Sequence, residues 1–92
     1  MIQLQDDISV SSIVAAIASR VRERRRELGM SQSLLAKRSG VSLGSIKRFE
    51  TQHKISFESL IKISIALNCA DDFSELFAHK QYRSIQDVIN EQ

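Results

Sequence analysis

Residues 32–51, QSLLAKRSGVSLGSIKRFET, constrain the fold more than any other stretch, because two helix-forming runs are separated by little more than a glycine and a serine. The Ser31 hydroxyl is placed to accept a first-turn N–H, so a helix is predicted to start at Gln32 and run to Ser39. Gly40 ends it, since glycine takes a left-handed backbone without steric cost. Ser42 then caps a second helix, predicted to end near Thr51. The apolar residues Leu35, Val41, Ile46 and Phe49 point to one shared core. Ala36 falls where the two helices cross, and only a small side chain lets the axes approach there at a steep angle.

This order of leucine, alanine, Gly40, Val41, Ile46 and Phe49 resembles the helix-turn-helix of the Xre/Cro family of phage-repressor-like DNA-binding proteins. Residues 19–32, SRVRERRRELGMSQ, resemble that family's first helix and its entry into the second, and the similarity spans roughly residues 19–77. The resemblance implies an all-α, lambda-repressor-like domain of five helices, to which a short C-terminal helix and an N-terminal arm or strand are added.

A chain of 92 residues makes one small domain with too little burial for a roomy substrate pocket, so an enzyme is not expected. His53 and His79 are far apart and lack a catalytic constellation, and Cys69 reads as buried filler. No cofactor fingerprint or metal-ligand spacing is present in the sequence, so neither a cofactor nor a metal is expected. A single cysteine cannot form an internal disulfide, and a reducing cytoplasm is the simplest setting. Gln5, Asp6 and Asp7 replace the basic start of a signal peptide, and no apolar run approaches the roughly 18–20 residues that span a bilayer.

Charge is unevenly distributed. Residues 20–48 carry nine basic side chains against Glu23 and Glu27, whereas residues 49–92 carry four basic and seven acidic ones. A basic module followed by an acidic tail suits phosphate backbone on one side and a protein partner on the other.

Along the chain, Ile2 and Leu4 alternate with Gln3 and Gln5, the pattern of a short strand or an arm over residues 1–11. Ser11 or Ser12 is placed to cap a helix over residues 12–28 with Val14, Ile17, Val21 and Leu28 inward, ending at Gly29. Arg25 interrupts that apolar stripe, and Glu50 interrupts the inward face of the motif's second helix. Two opposite charges on inward faces predict a partly buried Arg25–Glu50 ion pair, and the resemblance places Arg and Glu at these positions too. Ser56 caps a fourth helix whose Leu60, Ile61, Ile63, Ile65 and Leu67 are expected to be mostly buried. Asn68 ends it, and Asp71 or Asp72 starts a fifth helix through Phe73, Leu76 and Phe77. The domain is therefore placed at residues 12–77 and a C-terminal extension at 78–92. Within the extension, Ser84, Ile85, Asp87, Val88 and Ile89 describe a final helix with a capping box, too short to stand alone.

As a DNA reader, the motif's second helix would lie in the major groove with its first turns on base edges. Arg48 is the first candidate, because a guanidinium donates two bonds to guanine O6 and N7, worth about 1–3 kcal/mol of discrimination. Lys47 can read guanine or hold phosphate, Leu43 can touch a thymine methyl or pack, and Gly44, also placed at the base edges, offers no side chain, a departure from the polar pair common in phage repressors. Phosphate contacts are assigned to Ser31, Gln32, Arg38, Ser42, Ser45 and Lys54. One such unit covers few base pairs, so a homodimer on an inverted-repeat operator is expected, with Ile63, Phe73, Phe77 and the final helix at the seam. A transcriptional repressor of its own operon follows. The short chain with acidic, partly apolar ends is also similar to the DNA-binding antitoxins of Hip-type toxin–antitoxin modules, which implies a toxin as protein partner. The competing reading is a protein-interaction adaptor that has lost specific DNA binding.

Overall fold

The computed structural model describes residues 8–91, all of whose regular elements are helical. Helix α1 spans Val10–Glu27, α2 Gln32–Ser39, α3 Leu43–Gln52 and α4 Phe57–Ala66; a 3-10 helix follows at Ala70–Glu75, and α5 spans Ile85–Glu91. The arm or strand expected at residues 1–11 falls, over residues 1–7, outside the described residues, and Val10 and Ser11 belong to α1.

Local chemistry sets each start. Ser31, Ser42 and Ser56 each hold extended backbone, and their hydroxyls accept from the N–H of Leu34, Ser45 and Ser59 at 3.0, 3.1 and 3.0 Å. In α1 the cap is Ser9, not Ser11 or Ser12. The Ser12 N–H donates to Ser9 Oγ at 3.1 Å and the Ser9 N–H to Ser12 Oγ at 3.2 Å, a reciprocal box in which Ser12 is the third helical residue. Two orphan donors are satisfied that way, one more than a lone cap provides. Gly40 takes φ 75° after α2, and Asn68 takes φ 59° after α4.

Met30, Leu35, Val41, Ile46, Ile63 and Leu67 form the buried cluster, with Phe49 and Ala18 also inside. Helix α2 packs on α3 and α4, α1 on α3, and the 3-10 helix on α4. Arg24 ties α1 to the end of α4 by donating from Nε to the Leu67 carbonyl at 3.4 Å.

Four further sequence expectations are corrected. In α1, Ala18 is the fully buried apolar residue, while Ile17 and Leu28 are exposed, Leu28 already belonging to the turn. In α4 the core face follows Leu60, Ile63, Ser64 and Leu67, so Ile65 turns outward and Ser64 inward, where its hydroxyl donates to the Ile61 carbonyl at 2.6 Å. Ile63 is completely buried in its own domain and is removed from the subunit seam. The fifth helix is 3-10 rather than α: it starts at Ala70 with no side-chain cap, so neither aspartate serves as one. Its Phe73 packs edge-on against Phe57 with ring centroids 5.7 Å apart, while Leu76 and Phe77 are exposed.

Candidate nucleic-acid interface

Helix α3 buries Ile46 and Phe49 and half-buries Leu43 and Ser45. Its outward arc is then Gly44, Lys47, Arg48, Thr51 and Gln52, all exposed. Thr51 and Gln52 were not among the residues singled out from sequence, although the 44, 47, 48, 51 spacing continues the same face by one turn. Thr51 Oγ1 donates to the Lys47 carbonyl at 2.8 Å, so its hydroxyl proton is used within the helix. Lys47 and Arg48 make no side-chain hydrogen bond or ion pair with any described residue, and both cations are free to meet a ligand. At Gly44 an added Cβ would meet nothing within 4 Å, so no neighbour in the domain requires glycine there.

The six residues assigned to phosphate fall into two groups. Ser31 and Gln32 stand at the N-terminus of α2, where the Gln32 and Ser33 N–H groups have no partner within the helix. The Gln32 side chain itself is committed inward, its Nε2 donating to Glu50 Oε1 at 3.1 Å. Ser42 donates from Oγ to Ser45 Oγ at 2.8 Å, which leaves the Ser45 hydroxyl proton available. Ser45, Arg48, Lys54, Ser56 and Ser59 surround a recess of about 390 Å³ where α3 meets the start of α4, which brings Lys54 beside Arg48. Arg38 is exposed in the last turn of α2, apart from that recess.

Beneath this surface lies the charge pair. Arg25 donates from Nε to Glu50 Oε2 at 2.8 Å, from Nη2 to Glu50 Oε1 at 2.9 Å and from Nη1 to the Met30 carbonyl at 2.7 Å. The Glu50 side chain is 4% exposed, that of Arg25 9%. One guanidinium thus joins α1, the turn before α2 and the last turn of α3, with the Gln32 amide as a fourth tie. Arg22, half exposed, adds charge 3.7 Å from Glu50. The arrangement fixes the angle at which α3 is presented.

Burial alone would raise the Glu50 pKa, but hydrogen bonds from Arg25 and Gln32 and the charges of Arg25 and Arg22 outweigh it, holding the carboxyl below its ordinary 4.5. With a depressed folded-state value, both states are ionised above about 4.5 and the stabilisation is fully present. As pH falls below 4.5 the unfolded chain takes up the proton first, and stability is lost until the folded-state value is passed. The melting temperature should therefore decline on acidification through that window, and Glu50→Gln should flatten the decline. An acid limb of equal slope in wild type and variant, measured by thermal circular dichroism, would remove Glu50 from the account.

Burial and the nearby Asp72 charge push the Cys69 thiol up, away from nucleophilic reactivity. Among the described residues no group of histidines, cysteines and carboxylates is placed to hold a metal, and no helix is long and apolar enough to cross a membrane.

Two capped helices crossed through a glycine turn, an unpaired cationic arc on the second and a buried charge clamp behind it define a helix-turn-helix DNA-binding domain. The helix-turn-helix family model matches residues 21–73, and the chain belongs to this Xre/lambda-repressor-like family of DNA-binding transcription regulators. The match begins about two thirds of the way along α1 and ends within the 3-10 helix, so residues 10–20 of α1 and all of α5 lie outside it. No curated protein and no solved structure matches the chain.

Proposed function

We propose that the protein is a sequence-specific repressor that binds an inverted-repeat operator as a homodimer in the cytoplasm and controls its own operon. The observation that carries this reading is the outward arc of α3, where Lys47 and Arg48 stand exposed and without partners while the opposite face is locked in the core. Base-edge contact falls to Arg48 first, then Lys47, with Leu43 half-buried at the rim and Gly44 admitting close backbone approach. Ser45, Lys54 and Arg38 contribute phosphate contacts, as do Ser31, Gln32 and Ser42 through the helix N-termini they open. Few side chains reach base edges, so DNA shape supplements direct readout.

The apolar exposure of α5 favours a protein-binding role beside DNA binding. In its finer form the reading makes the chain the DNA-binding antitoxin of a toxin–antitoxin operon. The same exposed apolar surface would equally serve an adaptor that no longer binds DNA.

Fluorescence anisotropy with the duplex upstream of its own gene, set against random duplex across a salt series, separates these. The regulator binds its upstream duplex at least about a thousandfold tighter than random sequence. Its log affinity falls with log salt by about 0.9 per phosphate neutralised. Indifference to every duplex at low salt would leave the adaptor reading.

A further inference from the structure

Arg22 has a carboxylate beside it that is already taken. Its Nε lies 3.7 Å from Glu50 Oε1, beyond hydrogen-bond length, and half of its side chain is exposed. The same oxygen accepts from Arg25 Nη2 at 2.9 Å and from Gln32 Nε2 at 3.1 Å, while Oε2 accepts from Arg25 Nε at 2.8 Å. Glu50 thus serves three closer donors, and its single negative charge is matched by Arg25. Among the described residues no other carboxylate pairs with Arg22. The acidic residues of α1, Glu23 and Glu27, line the groove that α1 forms with α4 and the 3-10 helix, together with Arg20 and Arg24; Arg22 lies outside that groove.

This surplus cation stands at the unfavourable end of a helix. Gln32 is the first residue of α2, and its side chain reaches the same Glu50 oxygen as Arg22, so the guanidinium is held beside the α2 N-terminus. A helix N-terminus carries a partial positive charge of about half a unit, which repels a cation and attracts an anion. Three donors there are unclaimed within the domain: the N–H groups of Gln32 and Ser33, and the hydroxyl proton of Ser31, whose Oγ accepts from the Leu34 N–H. A guanidinium and a helix start that repel each other, with no free internal anion between them, are both stabilised by an anion from outside.

We propose that Arg22 binds a backbone phosphate of the duplex, completing from α1 a cradle whose other donors are the Ser31 hydroxyl and the Gln32 and Ser33 N–H groups. The proposal rests on the DNA-binding reading above and adds to it a cation from outside the two crossed helices. The donor set suits a phosphodiester: the guanidinium supplies charge and paired N–H donors for the unesterified oxygens, and the backbone N–H groups fix their position. The cradle is open, so it depends on α3 in the groove to deliver the phosphate at high effective concentration. Arg25, Gln32 and Glu50 tie α1, α2 and α3 together. A phosphate held at Arg22 therefore keeps a fixed offset from the base edges under α3, and that offset sets the register of the domain on the duplex.

The test is a salt series on the full chain carrying Arg22→Gln, read by fluorescence anisotropy on the upstream and random duplexes. With one phosphate fewer neutralised, the fall of log affinity with log salt should become shallower by about 0.9 on both duplexes, so the advantage of wild type shrinks roughly 3.5-fold between about 50 and 200 mM salt. Arg22→Lys keeps the charge and should restore most of the slope. Arg20→Gln removes a charge from the other side of α1, in the groove, and should leave the slope unchanged. A wild-type slope in Arg22→Gln would overturn the proposal; a melting temperature lowered at the same time would make Arg22 a partner of Glu50 alone. An equal loss of slope in Arg20→Gln would also overturn it, by showing a response to net charge instead of a site. Wild-type protein that binds neither duplex would sink the regulator reading and this proposal with it, an outcome distinct from a variant that binds with the wild-type slope.

Discussion

Glu50→Ala should be the most destabilising single substitution in this chain, lowering the melting temperature by about 15 °C or more in a thermal circular dichroism experiment. Removing one partner of a buried ion pair costs about 3–5 kcal/mol, because the other charge stays behind without compensation. In a domain of this size each kcal/mol moves the melting point by about 4–8 °C. Arg25 is poorly placed to escape: its Nη1 is held by the Met30 carbonyl, and its side chain is 9% exposed. The double variant Arg25→Met/Glu50→Leu separates stranded charge from lost packing. It should melt above Glu50→Ala, yet below wild type by the about 1–3 kcal/mol of a Met30 carbonyl left without its donor. A Glu50→Ala protein melting within about 3 °C of wild type would mean that Arg25 finds water, and the clamp would lose its structural role.

That clamp also illustrates what the sequence can and cannot disclose. Arg25 and Glu50 are visible as charges interrupting two apolar stripes, because helical periodicity reports which face a residue occupies. The other two members are invisible to periodicity. The Met30 carbonyl is a backbone acceptor in a turn, and Gln32 stands at a helix start where its polar side chain looks solvent-facing. The phosphate contact expected of Gln32 rests on the free N–H groups of that helix start, while its side chain turns inward to Glu50.

The crossed pair α2–α3 was legible for a different reason. Its caps, its glycine and its core residues all lie within twenty residues of sequence and are satisfied by one another, so local and tertiary preferences agree. Agreement fades at the ends. In α1 the capping box formed one turn earlier than the apolar pattern suggests, because a hydroxyl pair decides the start whether or not apolar residues follow. The fate of Ile17, Leu76 and the α5 stripe depends on what covers them, and periodicity identifies an apolar face without identifying its cover. Gly44 is the converse case. From sequence it is a base-edge position without a side chain, and the structure shows an open position where no neighbour excludes a Cβ.

The largest expected effect on recognition is at Arg48. Against the upstream duplex, Arg48→Ala should lose about 1–3 kcal/mol, roughly five- to 150-fold in affinity, and the loss should concentrate at one base pair of each half-site. In a homodimer the change is made twice, so an intact two-half-site operator should lose up to the square of that factor. Lys54→Ala supplies the contrast. Lys54 shares the recess with Arg48 but sits beyond the end of α3, and a cation that neutralises phosphate contributes to every sequence alike. Its removal should weaken operator and random duplex equally and lower the salt slope by about 1. Binding measured over a panel of single-base operator variants reads the difference directly. If Arg48→Ala leaves the ranking of the panel unchanged and only flattens the salt dependence, Arg48 joins Lys54 as a phosphate ligand. Base readout then falls to Lys47 and to the backbone at Gly44, with groove shape supplying most of the discrimination.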